Sequence, residues 1–297
     1  MDKNNFDIEF LCVGYQKCGT TLLQEILTSN EEIYLSKRKE TWFFQWKDLF
    51  SNPIMKLRKD FFNNAPNSKK LGIIDPTFIE EAKQVNDYFG QNCKIIFMVR
   101  NPVDVVYSDF KMRLRTCLDD SVNKLYRKYG YGRIQEMFEE YVRASIKEKR
   151  IRKYYFSYFI KEYFKYFDEK KIFIMFLEDL TRNAEDEMRK LEAFLKTGNY
   201  QYNLEKINTG DCVSKNYICA LINKYVFKLH MKLYPLSMSW EKRKLIYDIR
   251  AKIFGITNKE YKCEMKAEVR NKLEKYFANE KRVMEKMTGR DLGRIWF

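Results

Sequence analysis

Short apolar runs that stop at turn residues, with helical patterns between them, set the architecture of this chain. The first run, Ile8-Glu9-Phe10-Leu11-Cys12-Val13, ends at Gly14 and gives way to a short polar loop, after which Thr20 to Thr28 has the pattern of a helix. Two further runs, Leu71 to Ile74 and Lys94 to Val99, stop at Asp75-Pro76 and Asn101-Pro102. A fourth, Lys171 to Leu177, meets the acidic pair Glu178-Asp179 and then a helix-like stretch to Leu195. Short apolar strands alternating with helices predict an α/β fold of three layers, a central parallel sheet flanked by helices. In such sheets ligands bind beyond the carboxyl ends of the strands.

The stretch from Asp119 to Phe167 differs: it is rich in Tyr, Phe, Lys and Arg, poor in Gly and Pro, and reads as helices. Arg143 to Lys171 holds ten Lys or Arg against four Asp or Glu, with Tyr155, Phe159, Tyr163 and Phe167 recurring every four residues. Basic and aromatic interleaving can make a nucleic-acid platform. Helical spacing of the rings favours the plainer reading, an aromatic core face opposite a solvated basic face. The stretch from Cys263 to Lys286 alternates charge in the same helical way. With no repeat and no Pro- or Ser-rich linker, residues 1–297 are expected to form one domain, with a helical acceptor-side segment at about 119–167.

Composition changes the picture in two respects. A formal net charge of +15, from 56 Lys and Arg against 41 Asp and Glu, suits a polyanion, an anionic membrane or an anionic substrate without choosing among them. The seven cysteines, at 12, 18, 93, 117, 212, 219 and 263, are odd in number and contain no C-x-x-C pair, so they are read as reduced thiols of a cytoplasmic protein. The polar start, Met1 to Asp7, and the short apolar stretch after it do not make a signal-peptide core. No run approaches the roughly 20 apolar residues of a membrane span. Peripheral contact through the basic surface stays open, and oligomeric state is unreadable.

The strongest chemical signal is Gly14-Tyr15-Gln16-Lys17-Cys18-Gly19-Thr20-Thr21, where a strand gives way to a helix. The glycines let the backbone wrap an anion, and the helix brings its positive end. The spacing from Gly14 to Gly19 matches the glycine frame of an ATP-binding P-loop, yet Thr20 stands where that loop needs its lysine, and the lysine has moved to Lys17. A second signal, Arg100-Asn101-Pro102 followed by Ser108, pairs a guanidinium at a strand end with a hydroxyl two helical turns on, which can grip one phosphate from two sides. In this order and about 80 residues apart, the two motifs describe one nucleotide with 5′ and 3′ phosphates.

These motifs resemble those of sulfotransferases that use 3′-phosphoadenosine-5′-phosphosulfate (PAPS). The resemblance implies that Lys17 helps the bridging oxygen leave, that Cys18, Gly19, Thr20 and Thr21 line the 5′-phosphosulfate, and that Arg100 and Ser108 hold the 3′-phosphate. Lys39-Glu40-Thr41-Trp42-Phe43-Phe44 resembles the K-E-x-x-F-F segment of Golgi-type carbohydrate and heparan sulfate sulfotransferases and many bacterial relatives, whose glutamate is the candidate base. A base is needed because a neutral hydroxyl is a poor nucleophile. The single histidine, His230, lies far from any motif, which leaves Glu40 as the catalytic base beside Lys17.

Asp75-Pro76-Thr77-Phe78 resembles the S-P-T-Y turn that lines the acceptor cleft of relatives, so Asp75, Thr77 and Trp42 join Glu40 on the acceptor side. Val213 to Tyr217 falls where relatives carry a basic loop over the nucleotide, with Lys215 its only charge, and Thr288 to Trp296 resembles the terminal G-R-x-x-x-W segment. The expected donor is PAPS, the product adenosine 3′,5′-bisphosphate, and no metal is called for. The acceptor reads as a hydroxyl or amine on a carbohydrate or glycolipid, with a small-molecule metabolite the alternative. A P-loop kinase is disfavoured by Thr20 and by the lack of a magnesium site at Asp75 and Asp179. A nucleic-acid-binding protein would leave the paired phosphate motifs without a purpose.

Overall fold

In the computed structural model, residues 7–130, 132–202, 212–233, 240–261 and 264–297 are described, and Cys263 and most of the polar start fall outside them. Internal contacts divide the chain into two compact units, where the sequence suggested one domain. The first takes Met1–Asn101, Tyr155–Asn208 and Glu280–Phe297; the second takes Pro102–Tyr154 and Thr209–Asn279.

The first unit holds a five-stranded parallel sheet made of β1 (Phe10–Cys12), β2 (Ile33–Leu35), β3 (Lys70–Ile74), β4 (Lys94–Val99) and β5 (Ile172–Phe176), in the order β2-β3-β1-β4-β5. β1 is central, with Cys12 opposite Ile74 on one side and Ile96 on the other. Both faces are covered: Phe10, Leu11, Cys12, Ile73, Ile74 and Ile95 to Val99 are buried, which is why these strands read as unbroken apolar runs. The chain leaves β1 toward β2 and β3 on one side, whereas β4 and β5 lie on the other. That reversal places the loops after β1 and β4 beside the crevice where such sheets bind ligands.

Flanking helices follow the expected pattern with local differences. The helix Thr20–Thr28 buries Leu23, Ile26 and Leu27. The stretch after β5 is two helices, Leu177–Arg182 and Ala184–Leu195, parted at Asn183, whose side chain accepts from the Asp186 backbone N–H and starts the second. Three residues of the aromatic stripe belong to the core: Phe159, Tyr163 and Phe167 are buried along and just past the helix Phe156–Phe164, while Tyr155, just before its start, is half-buried. The Tyr163 hydroxyl donates to the Phe78 carbonyl at 2.6 Å, so the polar tip of this buried ring is satisfied.

The second unit is mainly helical, with Pro102–Thr116, Asp120–Tyr129, Ile134–Lys147, Tyr217–Leu233 and Trp240–Thr257. An antiparallel pair, β6 (Cys212–Ser214) and β7 (Asn258–Glu260), ties its later helices together. Around that pair, Asn223 donates to the Arg115 carbonyl at 2.8 Å and to Asn258 Oδ1 at 3.0 Å, while Thr257 donates to Asn223 Oδ1 at 2.6 Å. Among the described residues no helix is long and apolar enough to cross a membrane.

Candidate active site

All five strands of the sheet run parallel, so every loop that follows a strand emerges at one edge. Lys17 follows β1, Asp75 follows β3, Arg100 follows β4 and Glu178 follows β5. Glu40 reaches the same edge through its backbone N–H, which donates to the carbonyl of Ile74, the last residue of β3, at 3.1 Å.

The loop after β1 is tightly built. A Cβ on Gly14 would sit 2.4 Å from the Met98 backbone nitrogen, so only glycine lets β1 and β4 close behind the loop. Gly19 has φ 89°, and a Cβ there would lie 2.4 Å from Leu177 Cδ1. Lys17 adopts the same left-handed region, φ 69°, without being glycine. The helix starting at Thr20 has no side-chain cap at Gly19, so its first-turn amides keep donors that an anion can take. The structure therefore fits a phosphate at this point. Thr20 is buried and Thr21 exposed at the mouth of the loop.

Cys18 is fully buried, its backbone N–H donates to the Tyr15 carbonyl at 3.2 Å, and burial pushes its thiol well above the usual range. The thiol is therefore a packing group, and it is neutral at physiological pH.

Arg100 Nη1 donates to the Lys17 carbonyl at 3.3 Å, which brings the strand-end arginine onto the loop. The turn that carries it is fixed from β5: Glu178 Oε1 accepts from the Asn101 backbone N–H at 2.7 Å. Beside Glu178, Asp179 pairs with Arg290 at 2.7 Å, and the same guanidinium lies 4.9 Å over the Phe176 ring. Trp296 is fully buried edge-on to Phe156 and Phe176. The terminal segment from Gly289 to Trp296, with five residues between Arg290 and Trp296 where the G-R-x-x-x-W pattern has three, thus braces the end of β5.

On the β3 side Asp75 organises the loop that carries Glu40. Its carboxylate is 1% exposed and accepts four hydrogen bonds: Oδ2 from Thr41 Oγ1 at 3.0 Å and Trp42 N at 2.8 Å, Oδ1 from Thr77 N at 3.0 Å and Thr77 Oγ1 at 2.7 Å. Burial raises its pKa to about 6, bonds from Thr77 and Trp42 pull it back, and the Glu40 charge pushes it up. Glu40 and Trp42 on this loop have φ 60° and 52°. Lys39 Nζ stands 3.1 Å from Glu40 Oε1. Asp75 and Trp42, expected to face an acceptor, are both buried, the Trp42 ring beneath the Arg38 guanidinium at 5.2 Å. Asp75 positions the Glu40 loop instead of offering its own oxygens to solvent. Thr77 is partly exposed with its hydroxyl committed to Asp75.

The first unit thus assembles Lys17, Cys18, Gly19, Thr20, Thr21 and Arg100 as one group and Glu40, Trp42, Asp75 and Thr77 as another, on adjacent strand ends. Ser108 and Lys215 belong to the second unit. Ser108 is partly exposed on the helix Pro102–Thr116; Lys215 is exposed, and its N–H donates to the Thr257 carbonyl at 2.8 Å. His230 is buried on the helix Tyr217–Leu233. Sequence reasoning did not give Glu178 a part in the site, although an acid at the end of a parallel strand was the available signal.

A parallel α/β sheet with a glycine-framed loop, an uncapped helix start and an arginine bonded to that loop has the features that a phosphate ester would require. A family model described as "Sulfotransferase domain" matches residues 7–289, and the chain belongs to that family, and so to the transferase enzymes. The crystal structure of a sulfotransferase from Alicyclobacillus acidocaldarius shares the fold at 19% identity and a TM-score of 0.55, over 96% of this chain and 97% of that one. The mouse sulfotransferase SULT7A1, solved complexed with PAP, is 19% identical with a TM-score of 0.36, over 65% of this chain and 59% of that one. A membrane-associated sulfotransferase, kil1, from Dictyostelium discoideum is 27% identical over 110 residues, 36% of this chain and 23% of that relative's length.

Proposed function

We propose that the protein moves a sulfuryl group from PAPS to a hydroxyl or amine on a carbohydrate or glycolipid. The observation that carries this reading is the loop from Gly14 to Thr21, with Lys17 held left-handed, the helix start left uncapped and Arg100 bonded to the Lys17 carbonyl. PAPS supplies the sulfuryl group: its S–O bond to the bridging oxygen breaks as the acceptor atom bonds to sulfur. Lys17 offsets the charge that gathers on the bridging oxygen. The first-turn amides and the hydroxyls of Thr20 and Thr21 hold the 5′-phosphate, and Arg100 takes the 3′-phosphate. By sequence motif, Ser108 and Lys215 join the nucleotide set. Glu40 receives the acceptor's proton, and adenosine 3′,5′-bisphosphate leaves with the negative charge. The K-E-x-x-F-F resemblance supports a sugar acceptor. The six described cysteines are free thiols, which supports a reducing, cytoplasmic setting.

Calorimetric titration with adenosine 3′,5′-bisphosphate, with ATP and magnesium as control, tests the donor. Tight binding of the bisphosphate, weak binding of ATP and loss of sulfuryl transfer in Lys17→Ala are the expected results. Tight binding of magnesium ATP with weak binding of the bisphosphate would overturn the reading.

A further inference from the structure

Twelve large apolar side chains are exposed among the described residues, and eight of them fall on two helices of the second unit, Tyr217–Leu233 and Trp240–Thr257. On the first, Ile218, Ile222, Tyr225 and Leu229 are 69%, 42%, 67% and 57% exposed. Their spacing of four, three and four residues puts them in one stripe about 60° wide. The opposite side of this helix is the buried one, with Ala220, Asn223 and His230. Asn223 fixes that side through its bonds to Arg115 and Asn258, so the apolar stripe is held outward. Trp240–Thr257 carries Leu245, Ile249 and Ile256 along one side at 60%, 49% and 71% exposure, with Tyr247 exposed on another. Arg250 lies 5.6 Å over Phe227 of the neighbouring helix and 5.6 Å over Phe254 of its own, fixing the pair together.

Charge around the stripe is mostly basic, although Lys224 lies 3.8 Å from Asp120 of the helix Asp120–Tyr129. Residues 217–233 contain Lys224, Lys228 and Lys232 and no Asp or Glu. Lys228 and Lys232 are exposed on the flank of the stripe, and exposed Lys215 precedes the helix. Residues 240–257 carry five basic residues against Glu241 and Asp248. A second copy laid on this face would set lysines against lysines. A nucleic acid offers phosphates to the lysines but nothing to a row of Ile and Leu. An anionic bilayer satisfies both: the apolar side chains enter between headgroups, and lysine stems snorkel to the acidic ones.

We propose that the outward face of Tyr217–Leu233, with its neighbour Trp240–Thr257, docks the protein on the surface of an anionic lipid bilayer. The helices lie in the interface and do not cross it. The proposal is independent of which acceptor is sulfated.

Co-sedimentation of the full chain with vesicles of phosphatidylcholine, or of phosphatidylcholine with one third phosphatidylglycerol, tests it. Anionic vesicles should bind at least about tenfold more protein than neutral ones, and the double variant Ile222→Ser/Leu229→Ser should weaken that binding about tenfold or more. Lys228→Glu/Lys232→Glu should weaken it comparably and reduce its salt dependence. Because all four residues are exposed, the circular dichroism and Tm of both variants should match the parent. Vesicle binding unchanged by Ile222→Ser/Leu229→Ser would overturn the proposal, as would absence of binding to either vesicle. Sedimentation equilibrium showing a dimer that the apolar variant returns to monomer, without vesicle binding, would assign the face to a second copy instead.

Discussion

Two aspartates, one in each unit, are almost equally buried and behave in opposite ways. Asp75 in the first unit is 1% exposed and surrounded by neutral donors, with Glu40 as its charged neighbour, and its pKa rises to about 6. Asp109 in the second unit is 2% exposed and accepts from Arg113 Nε and Lys153 Nζ, each at 2.9 Å, and from the Tyr154 hydroxyl. Burial pushes the Asp109 carboxyl up, yet Lys153 and Arg113 outweigh it and the net shift is downward. Opposite charge is what keeps a buried carboxylate ionised; hydrogen bonds from neutral groups fix its geometry and leave it titratable. Asp109 is a brace for the helix Pro102–Thr116, whereas Asp75 sets the loop of the candidate base and does so near neutral pH.

The largest effect is expected at the brace. Asp109→Asn removes the carboxylate that Lys153 and Arg113 share, while Arg113, 28% exposed, keeps Asp119 at 2.8 Å, so it should cost about 3 kcal/mol in urea unfolding, the lower end for a broken buried pair. A loss below 1 kcal/mol would mean that the cations find water, and the contrast would disappear. Asp75→Asn should cost less, about 1–3 kcal/mol, because an amide nitrogen would face two donors where an oxygen accepted them. Its distinguishing mark is kinetic: kcat should fall about tenfold to a hundredfold while the Kd for adenosine 3′,5′-bisphosphate stays at the parental value. An Asp75→Asn enzyme with parental kcat would show that the loop holds itself.

The smallest effect is on pH dependence. Protonation turns an acceptor oxygen of Asp75 into a donor facing donors, so kcat should decline as pH falls through about 6, and Asp75→Asn should remove that limb. For Asp109 the folded value is depressed, so its stabilisation is present above the unfolded carboxylate range, near pH 4, and is lost as pH falls below it. Unfolding measured from pH 7 to 3 should show that loss in the parent and not in Asp109→Asn.

The strands that read clearly from sequence are β1, β3 and β4, buried inside the sheet, and the edge strand β5, whose five apolar residues in a row are legible although Ile172 to Ile174 are only half-buried. β2 escaped notice because three residues at the sheet's edge, with Tyr34 and Leu35 only half-buried, carry too little periodicity. β6 and β7 are equally short, β7 wholly polar, and they are joined by Asn223, which donates to Ser214 Oγ at 3.1 Å and to Asn258 Oδ1 at 3.0 Å. The phosphate loop was legible because its chemistry lies within eight consecutive residues. The part of Asp75 was not, since its donors Thr41 and Trp42 come from more than 30 positions away. Glu178 was hidden for the same reason, its partner Asn101 lying on another strand end.

Of the six described non-glycine residues with positive φ, three are Lys17, Glu40 and Trp42. Each such position holds back about 1 kcal/mol or more that a glycine would release. A search for hardier variants that scores only heat resistance would therefore be drawn to Lys17→Gly and Glu40→Gly, which relax the backbone by deleting the two side chains proposed for the chemistry. Directed evolution of this protein toward thermal tolerance has to select on turnover in every round, or it will recover well-folded chains that transfer nothing.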